Sequence, residues 1–453
     1  MNKRAIKLTK YSIITISLPL IIEFLLTNLL GSVDTLMIAN YSSNAPGSIA
    51  NANTVVGLLL TILVILSVGA NVTISAFLGA NRKDKAQETL ISCLIVNLFT
   101  GLIIFTFLML AAPSLFKLIN TPTELIDGSI VYLRIYVIAV PFLALDFVLK
   151  AYLRANSKTP YLLAISIIAN LLNILFNYLL IYGVGSIPAL GIKGAAISTV
   201  ISILVGFILK LILIRFKLKT RFVPLKINPQ IIKLVTKLGA PSAFENFSYM
   251  ISTFFVLAAC NTLGTTSVLA RTYIATITNL INQISLGLGI GNQTIVSYNV
   301  GTGNDEEIIK STYRSFFLAC PILLIFVVII NIFTYQIFGI FTKDINVLTE
   351  IKRVVPILFA FIIGQSMAHI YIAALKGLSD IYNHLIISLI SSFLVCSLGA
   401  WLFGVWLNLG LIGIFIATSL DELVRGSAAL IRFASKKWVS YSQKERNIIK
   451  TIN

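Results

Sequence analysis

Acids stranded among apolar residues are the first groups in this chain that could do chemistry. Asp34 stands in GSVDTLM with apolar residues on both sides. A carboxylate in hydrocarbon costs at least ~2.5 kcal/mol, so it needs a partner, a water-filled cavity or a function. Asn173 and Asn177 are four apart and share one face of a helix, and Thr199 follows a Gly-rich turn. A carboxylate with amide and hydroxyl oxygens makes a shell for a hard cation, here sodium at Asp34, Asn173 and Asn177, while Asp34 alone can carry a proton. The competing reading places Asp34 near the outer interface, where it merely reaches water.

A second pair of acids is duplicated. Glu23 and Glu245 each lie four residues after a proline, Pro19 and Pro241. A proline inside a helix frees a backbone carbonyl and favours a kink, so each acid is expected beside a bend. There it would attract cations or relay protons; the structural alternative is a pair with Arg271 or a hydrogen bond to Ser, Thr or Asn. Arg271, Phe254 and Tyr273 join Glu23 and Glu245 as candidate residues of a substrate cavity. Glu422 with Arg425, and Asp146 with Lys150, have the spacing of helix-face ion pairs. His369 and His384 are isolated in sequence, and Cys93, Cys260, Cys320 and Cys396 read as small core residues. No HExxH, GxSxG or Walker pattern occurs, which gives a hydrolase or ATPase no support. The chain is expected not to be an enzyme, to need no cofactor, and to draw any energy from a proton or sodium gradient.

The elements that position these groups follow from composition. Of 453 residues 57% are hydrophobic and 11% charged, against roughly a quarter charged in a soluble domain; mean hydropathy is +0.93. Apolar runs of the ~20 residues that cross a bilayer recur from Tyr11 to Phe433. The runs predict about twelve spans, near 12–40, 49–79, 90–116, 129–153, 160–183, 191–215, 232–261, 267–300, 312–341, 350–375, 383–407 and 409–433. The fold class is therefore all-α integral membrane.

The net charge of +18 raises the question of nucleic acid, and its distribution answers it. Lys and Arg gather at Lys3 to Lys10, at Arg82 to Lys85, at Arg154 and Lys158, from Arg215 to Lys237, and from Arg432 to Lys450, while connections one, five, seven and eleven are almost free of charge. That alternation is the positive-inside pattern of an even number of spans. Both termini are expected in the cytoplasm, with the bases meeting anionic lipid and no nucleic acid involved.

Sliding the chain on itself uncovers a repeat. Pro19 and Pro241, Glu23 and Glu245, Gly69 and Gly291, Gly79 and Gly301, and Arg154 and Lys376 are each 222 apart (241 − 19). GIKGAAIST at Gly191 parallels GLIGIFIATS at Gly410 with an offset of 219 (410 − 191). Six spans per half is even, so the halves are parallel repeats about an axis along the membrane normal. The expected division is an N-terminal lobe 1–216, a linker 217–231, a C-terminal lobe 232–435 and a cytoplasmic tail 436–453.

LPLIIEFLLTNLLGSVDTLMIANY, FLGANRKDKA, LRANSKTPYLLAISIIANLLNILFNYLLIYG, PALGIKGAAISTVIS, LGAPSAFENFS, GIGNQTIVSYNVGTGNDEE and LGLIGIFIATS stand in this order. In order, spacing and duplication the chain resembles the multidrug and toxic compound extrusion (MATE) transporters along nearly its whole length, closer to the DinF-like type in its coupling-site pattern. The resemblance implies a V-shaped twelve-helix bacterial inner-membrane protein, monomeric, with alternating access, that exports organic and often cationic or amphipathic small molecules against protons or sodium. It also implies that Asp34 binds the coupling ion. Many relatives carry Asp where this chain has Asn177, and those with coupling acids deep in the C-terminal half are unmatched at Gln365 and Tyr249. Loss of one carboxylate weakens a sodium site more than a proton site, so protons are the expected ion. A flippase for lipid-linked oligosaccharide or peptidoglycan precursors would show extra spans and an arginine-lined cavity; a membrane enzyme or scaffold would show a nucleophile, a metal constellation or a soluble domain.

Overall fold

The computed structural model describes residues 3–42, 44–119, 121–220 and 227–452, with side chains from residue 13 onward. The side chains of Lys3, Arg4, Lys7 and Lys10 and the 221–226 part of the expected linker lie outside that description. Long helices follow one another: α1 (Lys3–Ala39), α2 (Ala45–Gly79), α3 (Lys83–Leu118), α4 (Thr123–Ala155), α5 (Thr159–Tyr182) and α6 (Ile192–Lys217), then α7 (Pro229–Asn261), α8 (Thr265–Thr302), α9 (Asp305–Ile332), α10 (Ile345–Gly377), α11 (Tyr382–Trp406), α12 (Gly410–Ala434) and α13 (Val439–Thr451). Among the described residues, the first eleven are long and apolar enough to cross a membrane. α12 spans 25 residues, coincides with the twelfth expected span and carries Asp421, Glu422, Arg425 and Arg432.

The burial pattern is that of a protein in hydrocarbon. α3 exposes Phe99, Ile103 and Leu110 while burying Asn97 completely, and the Asn97 amide donates 2.6 Å to the Ala144 carbonyl of α4. Water as solvent would demand the reverse. With lipid outside, apolar faces need no cover and the polar groups must find partners inside.

Two compact units result. One contains Ile22–Ile74 and Arg82–Ala240; the other contains Met1–Ile21, Ser75–Asn81 and Pro241–Asn453. α1, α2 and α7 thus each contribute to both. The first unit is filled by Leu63, Phe116, Leu133 and Ile181. In the second, Tyr371, Phe433 and Trp438 pack on one another, and the Trp438 indole donates 2.9 Å to the Phe433 carbonyl. That anchor holds α13 against the end of α8, where Arg446 donates to the Val300 carbonyl at 3.0 Å, and against the start of α9, where the same guanidinium pairs with Asp305.

Candidate functional site

The site is built where α6 meets α5. Gly191 opens α6 at φ +53°, a left-handed conformation that favours glycine, and Gly194 would place an added Cβ 2.4 Å from the Leu180 carbonyl oxygen. Bare backbone at Gly194 lets α6 touch α5. One turn further on, Ser198 reaches Asn177.

Asn177 is the centre of the arrangement. Its amide nitrogen donates to Asp34 Oδ1 at 2.7 Å and lies 3.2 Å from Asn173 Oδ1. Its amide oxygen accepts from the Ser198 hydroxyl, which also lies 2.9 Å from the Ala195 carbonyl. Asn173, Asn177 and Ser198 are buried, and Asp34 is half-buried. The structure brings Asp34, Asn173 and Asn177 together. Thr199 stands one position away from its expected role: its hydroxyl is taken by the Ala195 carbonyl at 2.9 Å and by the buried Tyr132, whose ring stacks on Tyr136. The i, i+4 rule identifies Asn173 and Asn177, but only the close approach at Gly194 selects Ser198 over Thr199.

The donor set fits a sodium ion poorly. Sodium needs converging oxygens, and here the Asn177 NH2 stands between Asp34 Oδ1 and Asn173 Oδ1. The two lone-pair groups are already facing a donor.

Glu23 and Glu245 sit in buried ionic clusters. Glu23 accepts from Ser166 at 3.2 Å and lies 3.8 Å from Lys150, which with Lys210 also holds Asp146, at 3.2 and 2.7 Å. Glu245 accepts from Ser388 at the same 3.2 Å, with Lys376 at 2.7 Å and His384 at 2.9 Å. Both Glu–Ser pairs are separated by 143 residues in sequence, so the repeat is preserved down to one hydrogen bond. Arg271 does not serve as the partner of Glu245: it lies near the start of α8, in electrostatic reach of Cys260. His384, isolated in sequence, is a direct ligand of Glu245 that sequence spacing gave no sign of. Farther along α12, Arg425 pairs with Asp421 at 3.0 Å and Glu422 at 2.6 Å and lies over the Tyr249 ring. Phe254 is 69% exposed, and Tyr273 stacks on Phe341.

Comparison with known proteins now identifies the chain. The MatE family profile matches residues 19–179 and 241–402, two copies that begin on Pro19 and Pro241. The chain belongs to the MatE family. As a MatE protein it is a multi-pass membrane transporter. It is 26% identical over 433 residues to the uncharacterized transporter YisQ of Bacillus subtilis, covering 95% of each chain. It is 25% identical to the probable multidrug resistance protein NorM of Thermotoga maritima, covering 100% of this chain and 98% of that one. Its fold is that of a MOP superfamily transporter from Pyrococcus furiosus (TM-score 0.85, 20% identity, 98% and 97% coverage). A MATE crystal structure in the bent conformation matches with a TM-score of 0.88, at 20% identity and 96% and 97% coverage. Another, in the straight conformation, matches with 0.85.

Proposed function

We propose that this MatE protein is a secondary active antiporter of the bacterial inner membrane, both termini cytoplasmic, that exports small organic compounds of cationic or amphipathic character in exchange for protons. The observation that carries the choice of ion is the Asn177 amide donating to Asp34 at 2.7 Å while accepting from Ser198.

That amide gives two hydrogen-bonded states. With Asp34 ionised, Asn177 N–H donates to the carboxylate and Ser198 O–H donates to the amide oxygen. With Asp34 protonated, the carboxyl O–H donates to the amide oxygen once the amide has turned over. Asn177 N–H then donates to Ser198, whose own proton goes to the Ala195 carbonyl 2.9 Å away. The turned amide gives up its contact with Asn173 Oδ1, 3.2 Å away in the ionised state, so the two states differ at Asn173 as well as at Ser198. Proton uptake thus exchanges one hydrogen-bond set for another, which is the differential interaction that a conformational change requires. α1 carries both Asp34 and an internal proline, Pro19, and bent and straight conformations are described for MATE structures of the same fold. A bend of α1 that follows the state of Asp34 would couple proton flow to access.

The substrate class is supported by relatives named for multidrug resistance. A cationic compound would compete with Lys376 and His384 for Glu245. The test is export by purified protein in liposomes with pH and sodium gradients imposed separately. A pH gradient alone should drive accumulation. Export driven only by sodium would refute the assignment of the ion.

A further inference from the structure

The bases of this chain are distributed with no matching acids over a long stretch. From Phe147 to Phe244, 98 residues (244 − 147 + 1), there is no Asp or Glu, against twelve Lys and Arg. Lys150 and Lys210 are held by Asp146, and Arg154 lies over the Phe24 ring. Arg215, Lys217 and Lys219 at the end of α6 are exposed, and no carboxylate meets them among the described residues.

Arg215 also stands at the rim of an open groove of about 510 Å³, whose other walls are apolar: Leu94 of α3, Leu145 of α4, and Phe207, Leu211 and Phe216 of α6. A π-helical turn over Leu213–Lys217 widens the end of α6. Ile208, Ile212 and Phe216 are spaced by four and are 50%, 48% and 74% exposed, so an apolar ridge runs along the helix to the guanidinium. An apolar slot between membrane-spanning helices with a guanidinium in its wall has the form of a phospholipid site. Any lipid could fill the slot; the charge decides which. Guanidinium binds phosphate through two parallel hydrogen bonds, and basic pockets between spans recognise anionic headgroups.

We propose that this groove holds one anionic phospholipid, its acyl chain along Leu94, Leu145 and Phe207 and its headgroup phosphate on Arg215, with Lys217 and Lys219 beside it. The site is separate from the Asp34 cluster.

The test uses the full chain in nanodiscs of phosphatidylcholine with a minor share of phosphatidylglycerol, with retained lipids counted by native mass spectrometry. The wild type should retain phosphatidylglycerol severalfold over its share in the bilayer. R215Q should bring that ratio down to parity. Because Arg215 is exposed and meets no carboxylate among the described residues, thermal unfolding in neutral detergent should be unchanged. L211W fills the groove without altering charge and should lose the retained lipid as well. Soluble glycerol 3-phosphate, which has the phosphate and no chain, should fail to displace it. Equal retention of both lipids by the wild type, an undiminished preference in R215Q, or displacement by glycerol 3-phosphate would each overturn the proposal.

Discussion

The two halves of this chain place different chemistry at equivalent positions. Asp34 and Asn177 map by the 222 offset onto Val256 and Gly399, and Ser198 maps by the 219 offset onto Ala417. In the first half those residues form a hydrogen-bonded relay. In the second, Val256 is buried in an apolar core and an added Cβ at Gly399 would lie 3.2 Å from Ala417 Cβ, so plain helix packing fills the same place. The helices differ accordingly. α5 is regular through Asn173 and Asn177, whereas its counterpart α11 is wound as π-helix over Ser391–Leu398 and Ala400–Trp406. The Glu–Ser pairs show the opposite case, an identical contact kept in both halves. One duplicated scaffold therefore carries a common ionic anchor in both halves and the hydrogen-bonded Asp34–Asn177–Ser198 set in one half only.

Breaking the ionic clusters should give the largest effects, and unequal ones. Arg425 is the cation that Asp421 and Glu422 share, so Arg425→Leu leaves two buried acids to repel each other and should cost about 3–5 kcal/mol. Lys210→Leu leaves Asp146 with Lys150 at 3.2 Å, and Glu23 keeps Lys150 as well, so it should cost less than half of that. Thermal unfolding of the detergent-purified variants compares the two. Equal losses would mean that the clusters do not carry the charge as described.

A smaller contrast separates the two serines. Ser198→Ala removes the donor to the Asn177 oxygen, and an orphaned buried acceptor costs about 1–3 kcal/mol; pH-driven export should fall with it. Ser388→Ala leaves Glu245 with Lys376 and His384 and should cost about 1 kcal/mol or less. If export responds equally to both, Ser198 has no special part in the relay.

Two substitutions probe ion and substrate. Asn177→Asp places a second carboxylate against Asp34, which favours a shared cation; sodium should then stimulate export by the variant and leave the wild type unaffected. Glu245→Gln should weaken export of cationic compounds more than neutral ones. Equal loss of both classes would reduce Glu245 to a structural anchor.

Much of this was legible in the sequence because the bilayer makes helix length and the interior placement of acids nearly obligatory. The spans, the repeat and the pairing of Asn173 with Asn177 follow from apolar runs, the 222 offset and i, i+4 geometry. The remainder depended on how helices approach one another. That Ser198 rather than Thr199 meets Asn177 is set by Gly194 against Leu180. His384 and Lys376 come from two different helices to Glu245, and a sequence scan sees no spacing between them. Arg271 was drawn to Glu245 in sequence by sign alone, whereas Lys376 already occupied that place as the repeat counterpart of Arg154.

The central claim is that Asp34 is the coupling residue, and Asp34→Asn tests it most directly. Asparagine keeps the size and a hydrogen-bond acceptor for Asn177 but cannot carry a proton. Liposomes containing wild-type or D34N protein should be given an outward substrate load and a pH gradient, with efflux and lumenal pH recorded together and substrate binding measured on the same preparations. The account predicts that D34N binds substrate and stays folded but shows neither gradient-driven efflux nor substrate-dependent proton movement. Efflux by D34N at the wild-type rate under the same pH gradient would contradict it and move the coupling site elsewhere, with Glu245 first in line.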